Sequence, residues 1–456
     1  MKGQQNNIPS EEKISFLFSL RYAAGSFGVG LLYSLANTYF IYFVTDVALV
    51  PAGIMGTVFL ITRVFDFCCT PIIAGMIQNT RSQIGKYRAW MLYILPVTSV
   101  STLFCFTKIT GAPLWVAFYY GVAYLLAYGL LDKPSGAQKA LMSRIAKNDE
   151  ERMSLTARTA QMETFANIIF SLIAIPLLGV IGRGNEARGF WGLAFIFAIV
   201  GYLSFVITAK ACKPFDVYSD SEKTQEEKVS ASTLIHSVVA NPPLIFSMLI
   251  EMCKYIALMV FVSTMAHYFK YIIKDFSAIT PVMTAGTIVA FISSLVAPQI
   301  TKRIGKKNAG ILAMGLQCVA MLLARFFLIG NVLFFGFCIC LLYFGSALQI
   351  CVGIVMFSKA ADYYQYKTGH SIHGFVMANY VFPVEVGIAV SAPLVGWFLA
   401  SMNYNPTLDL TAKQIEGMQN LVLLIPGLLF ALATLLSVMH PLSEKRLREI
   451  SSDLKM

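Results

Sequence analysis

The sequence predicts an all-α membrane protein with twelve transmembrane helices, and three observations carry that prediction. Charged residues make up 13% of the 456 residues and apolar ones 57%, whereas a soluble domain carries about 25% charge. So little charge cannot cover a water-facing surface of this size. The mean hydropathy is +0.67. Apolar runs of about 20 residues, the length that crosses a bilayer core, recur along the whole chain.

In order, the spans are expected at 16–45, 51–77, 89–107, 113–138, 163–182 and 190–211, and then at 243–269, 278–299, 308–328, 332–357, 374–402 and 419–440. Gly and Pro inside these runs are compatible with membrane helices. The start, MKGQQNNIPSEEKIS, lacks the basic n-region and small-residue cleavage site of a secretory signal, so the first span is expected to be retained. The most polar stretch, KPFDVYSDSEKTQEEKVSAST at 213–233, separates the two sets of spans. It predicts an N-terminal six-helix bundle over 1–212, a cytoplasmic linker over 213–233, and a C-terminal six-helix bundle with a short cytoplasmic tail over 234–456. Basic residues orient membrane proteins. With the N-terminus inside, inner loops and tails hold 23 of the 35 Lys and Arg residues and outer loops six. Both termini are therefore expected in the cytosol.

The loop after the second span reads Thr80-Arg81-Ser82-Gln83-Ile84-Gly85-Lys86, and the loop after the eighth reads Thr301-Lys302-Arg303-Ile304-Gly305-Lys306. The two Ile-Gly-Lys runs occupy matching places in the two halves. Parallel six-helix halves are the repeat of the major facilitator architecture, so the predicted fold is two such bundles around a central path for a solute.

Other function classes are weaker. A net charge of +11 is explained by cationic loops, without nucleic acid. The nine cysteines have no metal-ligand spacing, and Cys68-Cys69 and Cys338-x-Cys340 lie inside apolar runs. Neither a metal site, a disulfide framework nor a cofactor is expected. The five histidines are scattered, with no Ser-His pair or metal cluster for an enzyme. A transporter-like sensor would need an added signalling domain.

Charge inside a bilayer costs roughly 2.5–3.5 kcal/mol per residue, so it marks cavities or paired helices. Span 2 carries Arg63, Asp66 and Thr70, whose spacings of three and four place them on one helical face. Span 4 carries Asp132 and Lys133 before Pro134, with Tyr128 one turn earlier as a ring that could stack on a sugar. Asp66, Asp132 and Thr70 are the candidate cation-coupling residues. Span 7 carries Glu251 and Lys254, read as a local structural pair. Glu385 in span 11 has no partner on its own helix. Arg21 and Arg325 lie near span ends and can snorkel.

The chain resembles the glycoside–pentoside–hexuronide:cation symporters, the family of the melibiose and glucuronide permeases. The likeness rests on Thr45-Asp46-Val47, Arg63-Val64-Phe65-Asp66, the loop from Thr80 to Arg88, Asp132-Lys133-Pro134, Asp362-Tyr363-Tyr364-Gln365-Tyr366-Lys367-Thr368-Gly369 and Pro441-Leu442-Ser443. It implies import of a glycoside, pentoside or hexuronide by cation symport across a bacterial inner membrane. A monomer is expected, with a small-molecule solute and the bilayer as partners and no nucleic acid. The substrate-binding candidates are Tyr128, Asp132, Lys133, Arg158, Tyr380 and Glu385. Arg81, Gly85, Lys86, Arg88, Asp362 and Lys367 are expected to act as conformational latches in cytoplasmic loops. The departures concern the coupling ion and the solute. Thr70 replaces the family's second acid in span 2, Cys69 its Asn, and Gly129 a sodium-binding hydroxyl in span 4. Gly30 and Gly136 stand where the family has a sugar-binding Asp and Trp, and Glu385 stands at its span 11 Lys. This erosion of the oxygen cage favours a proton over sodium. Lys133 could reach Glu385 or itself supply a fixed positive charge, which would leave a uniporter. A same-fold transporter of a non-sugar solute is the alternative reading.

Overall fold

The computed structural model describes residues 15–80, 82–146, 149–216, 239–327, 330–368 and 380–442, with 376 and 446. Among them every regular element is helical, and eleven helices are long and apolar enough to cross a membrane. The first segment joins α1 (Phe16–Leu35) to two wider π-turns, Ala36–Phe40 and Phe43–Val47. There follow α2 (Ala52–Asn79), α3 (Lys86–Cys105), α4 (Pro113–Tyr124), α5 (Asp132–Ile145), α6 (Asp149–Gly182) and α7 (Glu186–Ala211). The second set is α8 (Pro242–Tyr268), α9 (Ile279–Ile304), α10 (Lys306–Phe326), α11 (Val332–Thr368), α12 (Val381–Ser401), α13 (Ala412–Gln419) and α14 (Ile425–Met439). Of the expected linker, residues 213–216 are described and the rest lies outside the described residues.

Several ends follow from local chemistry. Asn185 caps α7 by accepting from the Arg188 amide, and Asn241 caps α8 by accepting from the Leu244 amide. Pro113 and Pro242 sit in first turns, where a missing N–H is unused anyway. Thr411 and Gln414 form a reciprocal capping box at α13. Gly85 (φ 115°, ψ 157°) precedes α3 and Gly305 (φ 88°, ψ 162°) precedes α10. The two Ile-Gly-Lys runs therefore make the same glycine-dependent turn.

Three expected boundaries move. The fifth span, expected at 163–182, is the end of a helix that begins at Asp149, because DEERMSLTARTAQM is polar yet rich in good helix formers. The segment holding Asp362 and Lys367, expected as a loop, continues α11 to Thr368. Span 4, expected unbroken, splits at Leu130–Leu131 between a π-turn (Leu125–Gly129) and α5. Pro134 explains the split: it has no N–H for the Leu130 carbonyl, and its ring clashes there.

Within the first set, α1 packs along α6 and α7, and α3 along α5 and α7. Within the second, α11 packs along α9 and α10, α8 along α12 and α14, and α10 along α14. The sets meet where α2 lies on α12, α6 on α9, and the Ala36–Phe40 turn on α8. Lipid offers no hydrophobic drive for helix association, so close approach of small residues matters. A methyl added at Gly396 would come within 2.7 Å of the Gly56 Cα, and one at Gly28 within 2.8 Å of the Gly201 Cα.

Candidate functional site

The span 4 break builds the charged centre. It starts a new helix, α5, inside the membrane segment, with Asp132 and Lys133 in its first turn. The Lys133 ammonium lies 3.5 Å from Asp66 Oδ1 on α2. Asp132 Oδ1 accepts from the Tyr33 hydroxyl of α1 at 2.5 Å. Gly129, at the end of the π-turn, lies against Asp66: a Cβ there would sit 3.3 Å from Asp66 Oδ1. Asp66, Lys133 and Asp132 are thus brought together; the sequence set the two carboxylates on facing helices and left the lysine's partner open, with Glu385 as a candidate, and here its ammonium lies on Asp66. The side chain of Thr70 lies outside the described residues.

Beside this centre is a cavity of about 360 Å³, counted with its open mouth, lined from both sets of helices. The first set contributes Asn37, Phe40, Arg63 and Tyr124; the second contributes Met259, Ser263, Ile388 and Ser391. Arg63 donates to the Tyr124 hydroxyl at 2.5 Å and lies 5.3 Å from that ring's centre. Glu385 on α12 is within electrostatic reach of Arg63, and neither residue has an ion pair within 4 Å among the described residues.

Other expected site residues sit elsewhere. Tyr128 is 1% exposed, packed among Tyr124, Tyr33 and Phe40. The expectation of a sugar-stacking face there does not fit, because the aromatic cluster covers the ring. Arg158 donates to Gln161 at 2.8 Å and lies over the Phe16 ring, near the start of α1. Tyr380 packs edge-on against Phe357 within the second set. Glu251 and Lys254 form a buried ion pair, and Gln349 donates to Glu251 at 2.9 Å. A side chain at Gly30 would strike Ala166 on α6, whereas Gly136 faces open space.

Of the expected latches, Arg81 lies outside the described residues. Arg88 donates to the carbonyls of Ala209 and Ile84, and the Tyr87 and Arg88 amides donate to Asp216; these contacts brace the first set internally. Gly85 turns against Asp216. The Lys86 ammonium lies 5.3 Å from the centre of the Tyr87 ring. Asp362 pairs with Lys359 one turn earlier at 2.7 Å, and Lys367 is exposed near the end of α11.

Sequence reasoning missed a second charged cluster, at the opposite end from Gly85. Asp46 is buried, and its Oδ2 lies 3.0 Å from His267 Nε2. Its Oδ1 accepts from Tyr271 at 2.6 Å and Tyr404 at 2.8 Å, and lies 3.3 Å from the Lys270 ammonium. Thr45 donates to Oδ2 at 2.8 Å. Four of the five partners belong to the second set, so one carboxylate ties the two sets together. Trp397 of α12 donates to Thr57 of α2 at 3.3 Å towards the same end. The Thr45-Asp46-Val47 motif was the available signal, but its partners lie more than 200 positions away.

Two sets of spanning helices around a charged, two-sided cavity define a multi-pass membrane transporter, not an enzyme. The chain belongs to the MFS/sugar transport protein family, which matches residues 21–444. It is 24% identical over 454 residues to an uncharacterized symporter, YjmB, of Bacillus subtilis (strain 168), covering 98% of this chain and 97% of that one. It is 24% identical over 445 residues to the isoprimeverose transporter of Lactiplantibacillus pentosus, covering 94% and 88%. In fold it is similar to a bacterial homologue of the human lysosomal transporter Spinster, with a TM-score of 0.64 at 13% identity, over 96% of this chain and 100% of that one.

Proposed function

We propose that this protein imports a glycoside, pentoside or hexuronide across a bacterial inner membrane by alternating access, coupled to protons rather than sodium. The observation that carries the reading is Lys133 on Asp66, 3.5 Å away, beside a cavity shared by both sets of helices. A sodium ion needs a cage of oxygens. Here an ammonium occupies the carboxylate, and Gly129 brings no hydroxyl to it. A proton needs no cage. Protonating Asp66 removes the charge that holds Lys133, whose ammonium then has Asp132 and Glu385 as alternative partners. That exchange would link proton binding to the state of the cavity. The family description and the relative named an isoprimeverose transporter support the solute class, and the relative named a symporter supports coupling.

The reading includes twelve spans, with Phe16–Val47 as the one beyond the eleven counted above, and two six-helix bundles. The Gly85 and Gly305 turns then face the cytosol with both termini and the 213–233 linker, following the basic-residue bias. The Asp46 cluster lies at the extracellular end. A second reading rests on the same lysine: if Lys133 stays on Asp66 throughout, it serves as the fixed charge of a uniporter.

Proteoliposome uptake separates the cases. Proton symport predicts solute-induced alkalinisation of the outer medium, abolished in Asp66→Asn. Uniport predicts equilibration without accumulation. Accumulation driven by a sodium gradient at clamped pH and membrane potential would overturn the proton reading.

A further inference from the structure

We infer that Arg63 is the specificity-determining residue of the cavity and that it receives an oxyanion, a carboxylate or sulfonate, carried by a polyhydroxylated solute. The inference rests on the transporter reading above and narrows its solute. A cation within the membrane needs an anionic or strongly accepting partner. The other inner cations have one: Lys133 lies on Asp66 and Lys254 on Glu251. Among the described residues Arg63 has only a phenol oxygen, taken by one guanidinium nitrogen. A guanidinium offers five N–H donors in a flat fork that matches two oxygens of one anionic group.

The rest of the cavity suits the remainder of such a solute. Asn37 has no hydrogen-bond partner among the described residues, so both ends of its amide are available. Ser263 and Ser391 donate to carbonyls of their own helices, which leaves their oxygens as acceptors for solute hydroxyls. Phe40 and Tyr124, stacked 5.0 Å apart, form an apolar wall. Nearby carboxylates would repel an anion, yet Asp66 is paired with the Lys133 ammonium, and Asp132, which accepts from the Tyr33 hydroxyl, is not among the residues lining the cavity. Glu385 is the third, on the opposite set of helices. It can accept from hydroxyls at the far end of the solute, so that the bound solute spans from Arg63 to Glu385.

The competing account is that Arg63 and Glu385 simply await each other as the cavity narrows. Equilibrium binding to the purified protein in nanodiscs decides between them. The probes are methyl glucuronide, the 6-sulfonate analogue of methyl glucoside, neutral methyl glucoside, and the non-sugar 2,3-dihydroxypropane-1-sulfonate. An acidic probe should bind about 10- to 100-fold tighter than its neutral counterpart, the range for hydrogen bonds to charged groups. Arg63→Gln should abolish that preference, so that acidic and neutral probes bind with similar affinity, and Arg63→Lys should keep part of it. The glucuronide and 6-sulfonate arms tell carboxylate from sulfonate. Binding of dihydroxypropane sulfonate alone, lost in Arg63→Gln, would uphold the oxyanion site and overturn the sugar reading. Tight binding of neutral glucoside, indifferent to Arg63, would uphold the sugar reading and overturn this inference. So would the absence of binding by all three oxyanions, or recovery of full transport with unchanged selectivity in the Arg63→Gln/Glu385→Gln double variant.

Discussion

Lys133 is the residue whose position most changes the chemistry of the centre. The sequence placed two carboxylates, Asp66 and Asp132, near each other and left the lysine's partner open, because neighbouring positions on a helix diverge by about 100°. The break before Pro134 sets its direction, and the ammonium lies against Asp66. If it stands in for a coupling cation, Lys133→Ala leaves Asp66 needing one. Solute binding by this variant is expected to become dependent on sodium or on low pH by about tenfold, equivalent to about 1.4 kcal/mol. Titration with sodium chloride against choline chloride at constant ionic strength and pH is the check. Adding Gly129→Ser, which puts an oxygen beside Asp66, should raise the sodium response further. Binding by Lys133→Ala that ignores both cations would refute the stand-in role.

Asp46 joins elements that the sequence could not relate. One carboxylate gathers donors from the end of α1's segment, from the end of α8's segment and from the loop after α12. Opening this end of the cavity requires these bonds to break. Hydrogen bonds to a charged group contribute roughly 1.5–3 kcal/mol each, so Asp46→Asn should favour the state open at that end. Ser391→Cys in the cavity then becomes more reactive to a membrane-impermeant thiol reagent added outside intact cells. Unchanged labelling would remove Asp46 from the gate. The paired glycine turns make a separate prediction. Both combine a positive φ with ψ near 160°, a region open essentially to Gly alone, where a side chain costs roughly 1–3 kcal/mol. Gly85→Ala and Gly305→Ala should each lower thermal stability, Gly85→Ala the more because its Cβ would also strike the Asp216 carboxylate; an unchanged melting temperature in either variant would argue against a glycine-dependent turn there.

At the scale of the molecule, the two sets of helices meet through α2 on α12, α6 on α9 and the Ala36–Phe40 turn on α8, with the cavity between them. A rocking motion about these contacts would present the cavity to each side in turn. The orientation predicts that a thiol at Ser221, in the expected linker, reacts with an impermeant reagent only from the cytosolic side, as tested with intact cells and inverted vesicles. Labelling from outside intact cells would invert the topology.

The helical membrane class, eleven of the expected spans and the repeated turn were legible in the sequence, because each depends on residues close together along the chain: about 20 apolar residues for a span, one glycine for a turn at positive φ. The charged centre was legible in part, since Asp66 and Asp132 announce themselves wherever charge interrupts an apolar run. Helix length beyond the bilayer was not, because hydropathy reports lipid and not backbone: α6 and α11 continue through polar residues that favour helix equally well. Partner choice was the furthest from reach. Lys133 on Asp66, Asp46 on His267 and Tyr404, and Arg63 facing a cavity with no ion pair within 4 Å among the described residues are decided by how the helices cross. A side chain's electrostatic partner is set by distance in space, and only the tertiary packing fixes that.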